Sequence, residues 1–186
     1  MTDQVPLLAA IHEEVRLVPY NPARPSAFAA ERGRLESLLP GVFLAIEHIG
    51  STAVPGMPAE PVIDLLAGVD SIAVVKSIAP QIYAAGYTTS SAFNETLPDR
   101  SWFMRAADGH RTHRLHVVVH DANAWREKLA FRDALRASSH LAAEYAALKS
   151  RLAVQHAADR DAYTDAKTEF IRDALGDSLL VGSSGA

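Results

Sequence analysis

The sequence predicts an α+β fold, and three observations carry that expectation. Apolar runs with strand character are confined to the first two thirds, while the last third shows helical spacing throughout. The chain's 186 residues are 48% hydrophobic, which suits one domain with a sizeable core. Residues 1–176 are expected to form that domain, and residues 177–186, ending Gly182-Ser183-Ser184-Gly185-Ala186, to form a flexible C-terminal tail.

Taken in order, Val5 to Glu14 predicts a short helix and Val15 to Val18 an edge strand, stopped by Pro19-Tyr20-Asn21-Pro22. Ser26 fits a helix start, with Phe28, Glu31, Arg32, Leu35, Leu38 and Leu39 at helical spacing up to Pro40-Gly41. Val42 to Ile49 and Val62 to Val69 have the length and composition of buried strands. Asp70 or Ser71 can cap a helix carrying Val74, Val75, Ile78 and Ile82, which Gly86 ends. Tyr87 to Ser90 predicts a strand, and Ser91 to Arg100 a polar loop. Ser101 to Arg105 and Thr112 to His120 predict a hairpin turning at Asp108-Gly109. Alternation in its second strand separates Leu115, Val117 and Val119 from Arg114, His116, Val118 and His120. Three helices close the chain, roughly Ala124 to Arg136, His140 to His156 and Arg160 to Leu175.

The chemistry is concentrated between the two central strands. After Ile46-Glu47-His48-Ile49 the backbone turns at Gly50-Ser51-Thr52, where Ser51 or Thr52 can cap a short helical turn. Free N–H groups of such a turn cradle a phosphate. The following strand carries Asp64 in an apolar run, a position costly for a carboxylate unless something pairs with it. A metal ion is a natural partner for a carboxylate beside a phosphate cradle.

IEHIGSTAVPG followed by PVIDL resembles the signature of the GrpB-like family, within the nucleotidyltransferase fold superfamily. The similarity extends from about Val15 to Ile171. It includes Val18-Pro19-Tyr20, Leu115-His116-Val117, Phe131-Arg132-Asp133, Tyr145 with Lys149, and Tyr163 with Lys167. The resemblance implies a mixed, twisted β-sheet flanked by helices, with the three terminal helices grouped together. It also implies an enzyme that binds a nucleoside triphosphate with Mg²⁺ or another divalent metal. Asp64 and His116 would be metal ligands, and Asp64, His116 and His48 the catalytic candidates. Gly50, Ser51, Thr52, Lys149, Lys167, Tyr163 and Arg132 would contact phosphates or substrate. The sequence departs from the family pattern twice. Leu66 stands where transferases of the superfamily place a second acid, and Glu60 where the family usually has Lys.

Two other readings stand beside the transferase. One is a regulatory module that binds a phosphorylated metabolite on a degenerate transferase fold, since some relatives of the family are joined to a coenzyme A biosynthetic kinase. The other is a metallohydrolase built on His48, Asp64 and His116. A formal net charge of −4 without a basic tract gives non-specific nucleic-acid binding little support. With no cysteine, no thiolate metal site or disulfide framework is available. No apolar segment reaches membrane-spanning length, and a cytoplasmic protein is expected.

Overall fold

The computed structural model describes residue 10 and residues 13–90 and 94–182, with side chains up to residue 176. The expected helix over Val5 to Glu14 therefore lies largely outside the described residues. Helix α1 (Arg24–Leu38) leads into strands β1 (Ala45–Ile49) and β2 (Ile63–Val69), joined through a 3₁₀ turn at Ser51–Ala53. Helix α2 (Val74–Ala84), strand β3 (Tyr87–Thr88) and the hairpin β4 (Arg100–Ala107) and β5 (His110–Val119) follow. Helices α3 (Asn123–Ala137), α4 (Ser139–Gln155), α5 (Arg160–Asp165) and α6 (Thr168–Gly182) complete the chain.

The strands form one mixed sheet in the order β1-β2-β5-β4-β3. Only the β2–β5 pair is parallel; the other neighbours are antiparallel. Period-two alternation gives each strand one side chain set per face. Ile63, Leu65, Ala67 and Val69 of β2, with Leu115 and Val117 of β5, pack beneath α1 and α2. On the opposite face, Leu66, Val118 and Ile49 pack against Trp125 of α3. The sheet is thus the middle of three layers, and the terminal helices form the third.

Several boundaries differ from expectation for local reasons. Pro25, with its fixed φ, starts α1 ahead of Ser26. Val15 to Val18 makes an isolated antiparallel bridge, Val18 to Ala59, rather than a strand. Helix α2 begins at Val74, because residues 71–75 first form turn bonds, from the Val74 amide to Ser71 and from Val75 to Ile72. The hairpin turns at Asp108-Gly109 as expected, both with positive φ.

The last expected helix is two. It breaks after the weakly helix-forming Thr164-Asp165, leaving Lys167 at the corner between α5 and α6. Asp159 caps α5 by accepting from the Ala162 amide, and Ser138 caps α4 by accepting from Leu141. Helix α6 runs to Gly182, through the first residues of the expected tail, and residues 183–186 lie outside the described set. Among the described residues no helix is long and apolar enough to cross a membrane.

Candidate functional site

Strand pairing places Ile49, the last residue of β1, opposite Asp64 near the head of β2. Between them the chain reverses at Gly50, with φ 71°. A Cβ at Gly50 would lie 2.5 Å from Asp64 Oδ2, so this position requires both glycine's backbone freedom and its missing side chain. The 3₁₀ turn that follows leaves the amides of Ser51 and Thr52 with no acceptor among the described residues. The turn's side chains do not cap it. Thr52 Oγ1 lies 3.0 Å from His48 Nε2, and Ser51 Oγ accepts from Lys149 Nζ at 2.8 Å.

The parallel register sets Asp64 beside Arg114 and Leu66 beside His116. Asp64 Oδ1 is 3.6 Å from Arg114 Nη1 and 3.9 Å from His116 Nε2. Burial alone would raise the Asp64 pKa, but the Arg114 charge and neighbouring His116 outweigh it and hold the carboxyl below its usual value. Arg114 Nη2 also donates to Glu60 Oε2 at 3.0 Å, and Arg160 Nη1 donates to Glu60 Oε1. Glu60 is thereby the acid between two arginines, an arrangement that a Lys in its place could not form. Burial pushes His116 down to about 4, so its imidazole is neutral near pH 7, and its Nδ1 is buried without a partner.

Helix α4 and the corner between α5 and α6 bring two lysines to the cavity beside the turn. Lys149 is 2% exposed and donates to Ser51 Oγ and to the Pro58 carbonyl, joining α4 to the β1–β2 connection. Lys167 Nζ lies 3.8 Å from the ring centre of Tyr163. Neither lysine forms an ion pair among the described residues. Burial, then the charge of Lys167, lowers the Lys149 pKa to about 7. Burial lowers Lys167 to about 8. Burial raises Tyr163 to about 12, keeping its phenol protonated. Lys149, Lys167, Tyr163, Arg114 and the Gly50-Ser51-Thr52 turn line one cavity of about 120 Å³.

A second cavity of about 300 Å³ lies on the other side of Asp64. Gly50, Asp64, Phe131 and Tyr145 line both. The larger one adds His116, Lys128 and Arg100, with Ile171 and Leu175 of α6. Burial lowers the Lys128 pKa, and no ion pair among the described residues holds its ammonium group.

Two expected site residues are elsewhere. His48 alternates with Ile49 and points to the other face of the sheet, stacked on Phe28 of α1 at 4.7 Å. A site joining His48 to Asp64 and His116 is therefore not formed. Arg132 lines neither cavity: its guanidinium donates to Glu47 at 2.7 Å, to the His48 carbonyl at 3.1 Å and to Asp133. It fastens α3 to β1.

The metal expectation meets a similar obstacle. No group of three His, Cys, Asp or Glu among the described residues could hold an ion. Asp64 and His116 are the nearest pair, and the Arg114 cation already stands against the carboxylate. Leu66, on the same strand face as Asp64, is fully buried under Trp125. These two residues alone would not fill the coordination shell of a divalent ion, and the remaining ligands would have to come from waters or substrate oxygens.

The sequence reading passed over Arg114, Arg160 and Lys128. For Arg114 the signal was present, since it shares a strand face with His116. Arg160 reaches Glu60 across a hundred residues of chain, which no local pattern announces.

A family model described as "GrpB protein" matches residues 14–177. The chain is 36% identical over 172 residues to "UPF0157 protein YqkA" of Bacillus subtilis, covering 90% of this chain and 49% of that one. It is 32% identical to "Glutamate-rich protein GrpB" of Alkalihalophilus pseudofirmus, covering 88% of this chain and 95% of the relative. A "Dephospho-CoA kinase" of Mycolicibacterium paratuberculosis is 30% identical over 86% of this chain, which spans 45% of it. The chain thus spans about half the length of two of these relatives. A crystal structure of GrpB from Enterococcus faecalis superposes with a TM-score of 0.79 at 32% identity, over 91% of this chain and all of that one. The geometry described above is accordingly that of a GrpB fold, and the chain belongs to the GrpB family.

Proposed function

We propose that the chain binds a phosphorylated, nucleotide-like small molecule, with the phosphates seated between the Ser51-Thr52 amides and the lysines of the terminal helices. One observation carries this reading: Lys149 and Lys167 share a cavity, and neither is ion-paired among the described residues. Burial and like charge make such an arrangement costly, and an anion between the lysines offsets that cost. The free amides of the turn supply donors of the same kind. The dephospho-CoA kinase relatives support the nucleotide-like class of the ligand.

In this reading the residues bind and orient. Lys149 fixes the turn, Lys167 reaches the phosphates, and Arg114 balances Asp64 and Glu60 behind them. Calorimetric titration with pyrophosphate and with adenosine tests it. Pyrophosphate should bind and adenosine should bind far more weakly. Lys167→Met should weaken pyrophosphate binding by ~1.5–3 kcal/mol, the range for hydrogen bonds to charged groups. Equal affinities for wild type and variant would remove Lys167 from the site.

A nucleotidyltransferase reading has one observation of its own. Asp64 stands on the wall common to both cavities, where a group passing between two ligands would be handed over. The Gly50-Ser51 turn between β1 and β2, with Asp64 on the second strand, supports a kinship with that fold. Release of pyrophosphate from a nucleoside triphosphate with Mg²⁺ is the measurement that decides it. Binding without turnover leaves the phosphate-binding module.

A further inference from the structure

We infer that the two cavities are halves of one site for a nucleoside diphosphate, with the phosphates in the smaller and the nucleoside in the larger. The inference rests on the phosphate-binding reading above and deepens it by assigning the second cavity.

The cavities adjoin rather than merely coexist. Gly50 and Asp64 form one side of their common boundary, and Phe131 and Tyr145 the other. Gly50 adds no side chain to that boundary, and a Cβ there would meet Asp64 Oδ2 at 2.5 Å. Phe131 and Tyr145 meet edge to face at 5.1 Å, so the boundary is aromatic on the helical side.

Size separates their tasks. At about 120 Å³ the smaller cavity is well below the ~300–1,000 Å³ typical of pockets for whole organic ligands. It has room for phosphates and not for a base and sugar as well. The larger, at about 300 Å³, reaches the lower end of that range. A nucleotide seated by its phosphates at Lys167 has to place its remainder across Asp64.

Chemistry separates them too. The smaller cavity brings together Lys149, Lys167, Arg114 and the free turn amides, and its two carboxylates, Asp64 and Glu60, both face Arg114. The larger has an aliphatic wall of Ile49, Ala124, Ile171 and Leu175, suited to the flat face of a base. Asp99 and Glu127 add carboxylates that accept from ribose hydroxyls or an exocyclic amine. Arg100 and Lys128 balance those carboxylates, so this cavity suits a neutral body better than a second anion.

Titrations of wild type, Ala124→Phe and Leu175→Trp with ADP, pyrophosphate and adenosine test the assignment. Ala124 and Leu175 lie on separate helices, and each substitution fills the larger cavity. A thermal melt of each variant identifies any that fails to fold, leaving the other to decide. Wild type should bind ADP at least tenfold more tightly than pyrophosphate. A folded variant should lose at least tenfold in the ratio of ADP to pyrophosphate affinity. An unchanged ratio, with pyrophosphate still bound, would overturn the inference and leave the phosphate cavity intact. Failure of the wild type to bind pyrophosphate would overturn the phosphate-binding reading itself, and this inference with it.

Discussion

Asp64 and Gly50 are in such close contact that the carboxylate occupies the space a side chain at position 50 would need: Oδ2 would be 2.5 Å from the added Cβ. Gly50→Ala must therefore displace either the turn or Asp64, and it also places a Cβ on a residue with φ 71°. The expected destabilisation is ~1–3 kcal/mol. Loss of pyrophosphate binding should exceed what that destabilisation explains, because the amide cradle moves with the turn. Chemical denaturation and calorimetry together check both effects.

Asp64→Asn tests whether the carboxylate is a buried liability or a partner. Sequence alone suggests that removing an unpaired buried charge relieves the fold. The structure instead pairs the charge with Arg114, so the variant should lose ~1–3 kcal/mol. A lowered carboxyl pKa means that the unfolded chain binds more protons in acid. The stabilisation is therefore complete above the unfolded value near pH ~4, and it is lost as pH falls through the lower folded value. Stability measured from pH ~2 to ~7 should show a shallower acid limb in the variant. An unchanged or raised melting temperature would mean that Arg114 does not compensate Asp64.

Lys149 and Lys167 should separate in their effects. Lys149 holds the turn through Ser51 and the Pro58 carbonyl, so Lys149→Met should cost ~1–3 kcal/mol of stability. Lys167 rests on the Tyr163 ring, and Lys167→Met should change stability by only ~0.5–1 kcal/mol. Denaturant midpoints with unchanged slopes would establish the difference.

The same lysines set a pH dependence. With values lowered to about 7 and about 8, they lose their charge as pH rises through that range. Sulfate keeps a constant charge there, so its affinity should fall between pH ~6 and ~9, and Lys167→Met should flatten the profile. A flat profile in the wild type would show that neither lysine contacts the anion.

Leu66→Asp restores the spacing of a second acid and, on sequence grounds, tests for recovered transfer. The structure predicts a different outcome. Leu66 is fully buried against Ile49, Val118 and Trp125, with no cation among them. An unpaired carboxylate there should destabilise by ~3–5 kcal/mol before any chemistry could appear. A folded variant that transfers nucleotides would refute this.

The strands were legible because β2 is a near-continuous apolar run, β5 alternates from Arg114 to Val117, and the turns carry Gly50, Gly86 and Asp108-Gly109. The grouping of Asp64, His116, Ser51, Lys149, Lys167 and Tyr163 around adjoining cavities likewise matches positions that the family signature singles out. His48 was misplaced although alternation had put it beside Ile46, on the face away from Asp64; nearness in sequence to Gly50 outweighed that signal. Arg132 could not be assigned from sequence, because its partners Glu47 and the His48 carbonyl are more than eighty residues distant. The break that puts Lys167 at a corner is only weakly encoded, in residues of middling helix propensity.

The strand order has a consequence for synthesis. β5 lies between β2 and β4, yet it is the last strand to be made. Until residue 119 has emerged, one edge of the apolar strand β2 has no partner, and β3 and β4 have no sheet to join. At ~5–20 residues per second, the fifty residues between the end of β2 and the end of β5 take ~3–10 s to translate. During that interval β2 is an open edge of the kind that invites pairing with other chains. The nascent chain is thus most exposed to aggregation just before β5 arrives, and a ribosome-associated chaperone would be of most use to it then.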